Sequence, residues 1–192
     1  MVAPFSSVLE QTVVSPVHLE PYLLSPSVLT RTAINQRVAA LAADTDRWQS
    51  LLHYSTDERW YAQLESNPYY DAWLLSWTPG QTTELHDHGG SSGAFTVLTG
   101  SLREVVLAAG LPRHVDRPAG STVTFGSKYI HDVGHAGHGP AASLHVYSPP
   151  LSTMNYYAID RGEVLRTRTE ATETPERGWP RHPALATLTA VS

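Results

Sequence analysis

Residues 60–150 read as a series of short apolar or alternating runs, each closed by turn residues, and this rhythm constrains the fold most. The run 72–77 meets Thr78-Pro79-Gly80, 94–98 meets Thr99-Gly100, and 102–107 meets Ala108-Ala109-Gly110. Runs at 122–125, 130–133 and 142–147 follow, the last stopped by Pro149-Pro150. Evenly spaced short strands with glycine turns indicate an all-β sandwich or barrel rather than alternating βα units. The 14 Pro and 13 Gly supply the turns such a fold needs.

The flanks read differently. Residues 1–25 show no strong period and carry Pro4, Pro16 and Pro21, which suggests an arm lying on the body. Ser25-Pro26 has the form of an N-cap with proline at the first helical position. Ile34, Val38 and Leu41 then recur at helical spacing, and a second short helix is expected from Asp44 or Thr45, with Trp48, Leu51 and Leu52 on one face. After Asp160 the pattern fades into a Thr/Glu/Arg/Pro tail. The expected organisation is therefore one domain: an arm and helices over 1–55, a barrel over 56–160, and a tail over 161–192.

A length of 192 residues suits a single core. Net charge is −5 with no basic run, which gives nucleic acid or an anionic membrane nothing to grip. No apolar stretch approaches the roughly 18–20 residues that span a bilayer. Residues 1–9 lack the basic region and apolar core of a secretory signal, so a cytoplasmic placement is expected. The expected assembly is a monomer or small homo-oligomer. Cysteine is absent, which removes disulfides, cysteine-ligated zinc, iron–sulfur clusters and thiol nucleophiles together. Histidine is the counterweight: of ten, seven fall between His86 and His145.

Within Gly80-Gln-Thr-Thr-Glu-Leu-His86-Asp87-His88-Gly89-Gly90, residues 86 and 88 share one face of a strand, with Cα atoms about 7 Å apart. Two imidazoles so placed converge on one ion if a third ligand arrives from another strand. Two surface histidines are the alternative, but the flanking glycines and the strand that follows favour an organised site.

The spacing of Gly80, His86, His88, position 93 and Gly100 resembles the motif of the cupin superfamily, which implies a mainly β, jelly-roll barrel with the helices as a short N-terminal layer. Many cupins carry a glutamate ligand where this chain has Gly93, so the resemblance implies a neutral three-histidine site. His131, after the glycine turn at Gly126, fits best as the third ligand. His135 and His138 read as solvated loop residues and His114 as an exposed strand residue; His18, His53 and His182 receive no role.

Ser143-Leu144-His145-Val146-Tyr147-Ser148-Pro149-Pro150, taken with His-Asp-His and Ile130-His131-Asp132-Val133, resembles the cysteine dioxygenase family of thiol dioxygenases. That resemblance implies iron(II) on His86, His88 and His131, and a hydrogen-bond relay of Ser143, His145 and Tyr147 on one strand face. The Cys–Tyr crosslink of some members cannot form in a chain without cysteine, so Tyr147 is a free phenol as in bacterial-type members. The carboxylate-binding arginine of the cysteine-specific members falls near Tyr61, with Arg59 two residues earlier on the same face. Tyr61 and Trp77 are further candidates for the substrate pocket, though core packing is the commoner role of strand aromatics.

The function implied is addition of both atoms of O2 to a small thiol, giving a sulfinate. Cysteine is the first expected substrate, with 3-mercaptopropionate or a bulkier thiol such as a thiol-imidazole as alternatives. A non-catalytic metal-binding cupin is the reading from another class, and the serine–histidine–tyrosine relay speaks against it.

Overall fold

Ile34, Val38 and Leu41 form the buried stripe of helix α1 (Arg31–Ala43) in the computed structural model, which describes residues 28–108 and 110–171. The helix starts later than Ser25-Pro26 implies, and those two residues lie outside the described region. Its N-cap is Thr30, whose hydroxyl accepts a hydrogen bond from the Ala33 N–H at 3.2 Å and satisfies one of the free amides of the first turn. The short helix α2 (Thr45–Trp48) follows as expected, continued by a 3₁₀ turn over Gln49–Leu51. No helix among the described residues is long and apolar enough to cross a membrane.

The strands are β1 (Tyr61–Ser66), β2 (Asp71–Trp77), β3 (His86–Asp87), β4 (Ser92–Thr99), β5 (Ser101–Ala108), β6 (Leu111–Pro118), β7 (Thr122–Phe125), β8 (His131–Ala136), β9 (Ala141–Ser148), β10 (Thr153–Asp160) and β11 (Glu163–Ala171). They form two antiparallel sheets with strand orders β1-β2-β9-β4-β7 and β11-β10-β3-β8-β5-β6. This is the cupin-type, mainly β architecture that the turn rhythm and the glycine–histidine spacing indicate.

Strands β2 and β9 are buried at every position because both of their faces are covered. One face, with Trp73, Leu75, Trp77 and Tyr147, joins Tyr61, Phe95, Leu102, Phe125 and Tyr156 in the core between the sheets. The other, with Ala72, Leu74, Leu144 and Val146, packs beneath Ile34, Val38, Leu41 and Trp48. The helical layer thus seals the five-stranded sheet from outside, and the inward face is left to carry chemistry. An ionic cluster fastens the layer: Glu65 on β1 pairs with Arg37 and Arg47 and accepts the Tyr70 hydroxyl.

The sheet continues past Asp160, where the tail was expected to begin. Glu163 pairs with Asp160 across a two-residue loop in which Arg161 (φ 50°) and Gly162 (φ 86°) both have positive φ, the backbone of a tight hairpin. β11 is an edge strand, exposed along most of its length, so its Arg, Thr and Glu residues need no apolar alternation.

Candidate metal centre

His86 and His131 are directly paired across β3 and β8, so the ladder itself sets the two imidazoles side by side. His88 lies just beyond the end of β3, where the chain turns. Ring centroids are 5.0 Å apart for His86 and His88, 4.8 Å for His86 and His131, and 5.2 Å for His88 and His131. One ring nitrogen from each lies within 4.8 Å of the others, and all three residues are buried. This is an arrangement able to hold a metal ion.

The tautomers follow from the partners. His86 Nδ1 is 2.7 Å from the Glu84 carbonyl oxygen, which only accepts, so Nδ1 carries the proton and Nε2 keeps its lone pair. His131 Nδ1 is 2.8 Å from Glu104 Oε1 and is fixed the same way. His88 differs: both of its ring nitrogens are buried with no hydrogen-bond partner among the described residues. Buried polar atoms are rarely left so, and a metal ligated by His88 accounts for one of them. Burial first, and then the neighbouring histidines, hold His86 and His88 well below the usual imidazole range, so both are neutral donors.

Packing alone orients His88. Its ring stacks on Phe125 (4.7 Å, 24°) and lies 5.0 Å from the Tyr147 ring. Gly93 on β4 pairs with Phe125 on one side and Tyr147 on the other. A Cβ there would sit 2.6 Å from Phe125 Cζ and 2.9 Å from the Val146 oxygen. Where many cupins place a carboxylate ligand, this chain has a glycine that makes room for the ring on His88. Gly93→Ala is expected to lower stability by about 1–3 kcal/mol through overpacking. Phe125→Leu in the same chain should recover part of that loss; urea denaturation of both variants checks the pairing.

The turn after His88 is held by Asp87. Its carboxylate accepts from the Gly89 N–H and Asn155 Nδ2, both at 2.8 Å, and from the Tyr157 hydroxyl at 2.6 Å. Gly89 has φ 57°, and a Cβ on it would lie 2.4 Å from the Thr153 oxygen. Glycine is required there on both counts.

Behind His131 sits Glu104, fully buried on β5 and not identified from the sequence. It accepts from Tyr129 Oη (2.9 Å), His131 Nδ1 (2.8 Å) and Arg117 Nε (2.8 Å). Burial pushes its carboxyl up, but the hydrogen bonds from His131 and Arg117, with the Arg117 charge, outweigh that and hold it below the usual carboxylate range. Its one mark in the sequence is the alternation that sets it on the same face of β5 as Leu102, which says nothing of its partners. A carboxylate behind a ligating imidazole fixes its orientation and raises its basicity, and losing one typically weakens metal binding about 10–100-fold. Glu104→Gln is expected to show a loss of that size in a metal titration, with the fold intact by circular dichroism.

On β9, Ser143, His145 and Tyr147 share the inward face as their spacing implies, and all are buried. Ser143 Oγ is 2.9 Å from His145 Nε2, and His145 Nδ1 is 3.2 Å from Tyr147 Oη. Burial first, then the neighbouring His131 and Arg59, push His145 down to about 3. Tyr61 and Trp77 both belong to the core between the sheets. Arg59 precedes β1, is buried, and lies with its guanidinium carbon 4.7 Å from the Trp77 ring centroid. His114 and His138 stay at the surface, and His135 is spent on the Gly139 carbonyl (2.7 Å).

Residues 12–160 match the family of cysteine dioxygenase type I. The chain belongs to that family. Among solved structures, the protein TT1209 from Thermus thermophilus is similar at 20% identity, covering 53% of this chain and 93% of its own, with a TM-score of 0.48. A cupin superfamily protein from Desulfitobacterium hafniense is similar at 16% identity, covering 53% and 87%, with a TM-score of 0.45. A protein with a double-stranded β-helix domain from Klebsiella pneumoniae gives 19% identity, 53% and 80%, and a TM-score of 0.46. For a member of the cysteine dioxygenase type I family, a buried three-histidine group in a barrel suggests a metal cofactor, a small-molecule substrate and oxygen chemistry.

Proposed function

We propose that the protein is an iron(II)-dependent thiol dioxygenase acting on a small thiol that carries a carboxylate, with a sulfinate as product. The observation that carries this reading is the Tyr147 phenol, at the end of a buried relay, with its ring 5.0 Å from that of His88. Metal storage has no use for such a relay. Iron(II) bound by His86, His88 and His131 would supply one coordination sphere in which sulfur and dioxygen meet.

The protein's own groups do the rest. His86 and His131 present lone pairs held by Glu84 and Glu104, and neutral imidazoles leave the site's positive charge available to a thiolate. Tyr147 holds a proton at Oη, with its ring beside that of His88, and His145 orients the phenol. Phe95, Phe125 and Tyr156 belong to the apolar packing around the imidazoles, which keeps water scarce and strengthens each polar contact.

Arg59 supports the carboxylate. It is a buried cation, and its charge contributes to the depression of both His86 and His145, after burial and His131. An anion entering beside it gains a charge-assisted partner. Cysteine and 3-mercaptopropionate meet that requirement, whereas cysteamine does not. The test is oxygen uptake by iron(II)-loaded protein with cysteine, 3-mercaptopropionate, cysteamine and a thiol-imidazole in turn. A carboxylate thiol is expected to be consumed fastest. Preference for cysteamine would remove Arg59 from the substrate site, and no uptake with any thiol would favour a metal-binding cupin without catalysis.

A further inference from the structure

The relay has a fourth member that decides which way its protons point. Trp77 Nε1 lies 2.8 Å from Ser143 Oγ, and both side chains are fully buried. An indole N–H donates and never accepts, so Ser143 Oγ is the acceptor of that bond. The serine still has its own proton to place, and His145 Nε2 at 2.9 Å is the acceptor within reach among the described residues. If His145 Nε2 carried the hydrogen instead, Ser143 would face two donors and its proton would be stranded in the core.

The direction then passes along the strand. His145 is neutral, pushed down by burial, His131 and Arg59, so it has a single ring proton. With Nε2 accepting from Ser143, that proton sits on Nδ1 and is donated to Tyr147 Oη at 3.2 Å. We propose that Trp77 is a positioning residue whose N–H locks His145 in the Nδ1–H tautomer, leaving the Tyr147 proton directed away from His145. Arg59 over the indole face holds the ring in place for this bond. The use of that proton in turnover rests on the dioxygenase reading; the tautomer does not.

A residue that merely fills the core between the sheets would leave the tautomer alone, and this separates the two roles. The experiment is two-bond ¹H–¹⁵N correlation on ¹⁵N-histidine-labelled protein loaded with zinc(II), with His145 assigned through His145→Asn. The unsubstituted protein should show Nδ1 protonated and Nε2 bare. Trp77→Phe keeps a ring and removes the N–H; it should shift His145 to a mixture with the Nε2–H form. Its kcat on the preferred thiol should fall about tenfold, with KM within about twofold. Ser143→Ala removes the same lock while leaving Trp77 in place, and should give the same mixture if Trp77→Phe does not fold. An Nε2–H tautomer in the unsubstituted protein, or an unchanged tautomer in the variant, overturns the proposal. A locked Nδ1–H form in a protein that oxidises no thiol would leave Trp77 its role and sink the dioxygenase reading instead.

Discussion

His88→Leu is expected to abolish both metal binding and turnover while leaving the metal-free protein at least as stable as the unsubstituted chain. The two halves of this result have one cause. Both His88 nitrogens are buried without a hydrogen-bond partner among the described residues, so in the metal-free protein the imidazole carries an unrelieved desolvation penalty. Leucine removes those nitrogens and still packs against Phe125 and Tyr147, which should offset the loss of stacking. With metal the sign reverses. A ligand at about 100 times its Kd stabilises the native state by about 2.7 kcal/mol, and the variant forfeits this gain. Thermal melts with and without metal check both halves. A full metal-induced rise in the melting temperature of His88→Leu would remove His88 from the ligand set.

Tyr147→Phe is expected to keep the metal and lose most of the turnover. Phenylalanine retains the ring beside His88 and the packing between Gly93 and Asp71, its neighbours across the sheet. Only the hydroxyl at the end of the His145 bond is lost. Positioned proton donors typically contribute 10²-fold or more, so kcat should drop roughly 100-fold while metal affinity and KM barely move. Equal kcat in both proteins would make the relay a packing feature of β9.

Much of the site is legible in the chain because strand geometry is so regular. Period two puts Ser143, His145 and Tyr147 on one face, and the fold keeps them there because Leu144 and Val146 are claimed by the helical layer. His86 and His88 are found the same way, although β3 is only two residues long and His88 lies beyond it, whereas His131 is reached through the family resemblance. The parts that were not legible are those decided by partners distant in sequence. Glu104 looks like one more charged strand residue until Tyr129, His131 and Arg117 are brought around it. The reason for Gly93 is a ring on the neighbouring strand. β11 escapes notice because an edge strand buries little, and because its turn uses Arg161 where Asn or Asp would have signalled a hairpin. The N-terminal arm and residues 172–192 lie outside the described region.

The measurement that bears most directly on the proposed chemistry is the fate of ¹⁸O2 during turnover of the preferred thiol by iron(II)-loaded protein. The expected result is one sulfinate per O2 consumed, with both of its oxygens labelled. A product with one labelled oxygen, or a disulfide formed while labelled peroxide accumulates, would contradict dioxygenation and leave the three histidines and their relay in need of another reaction.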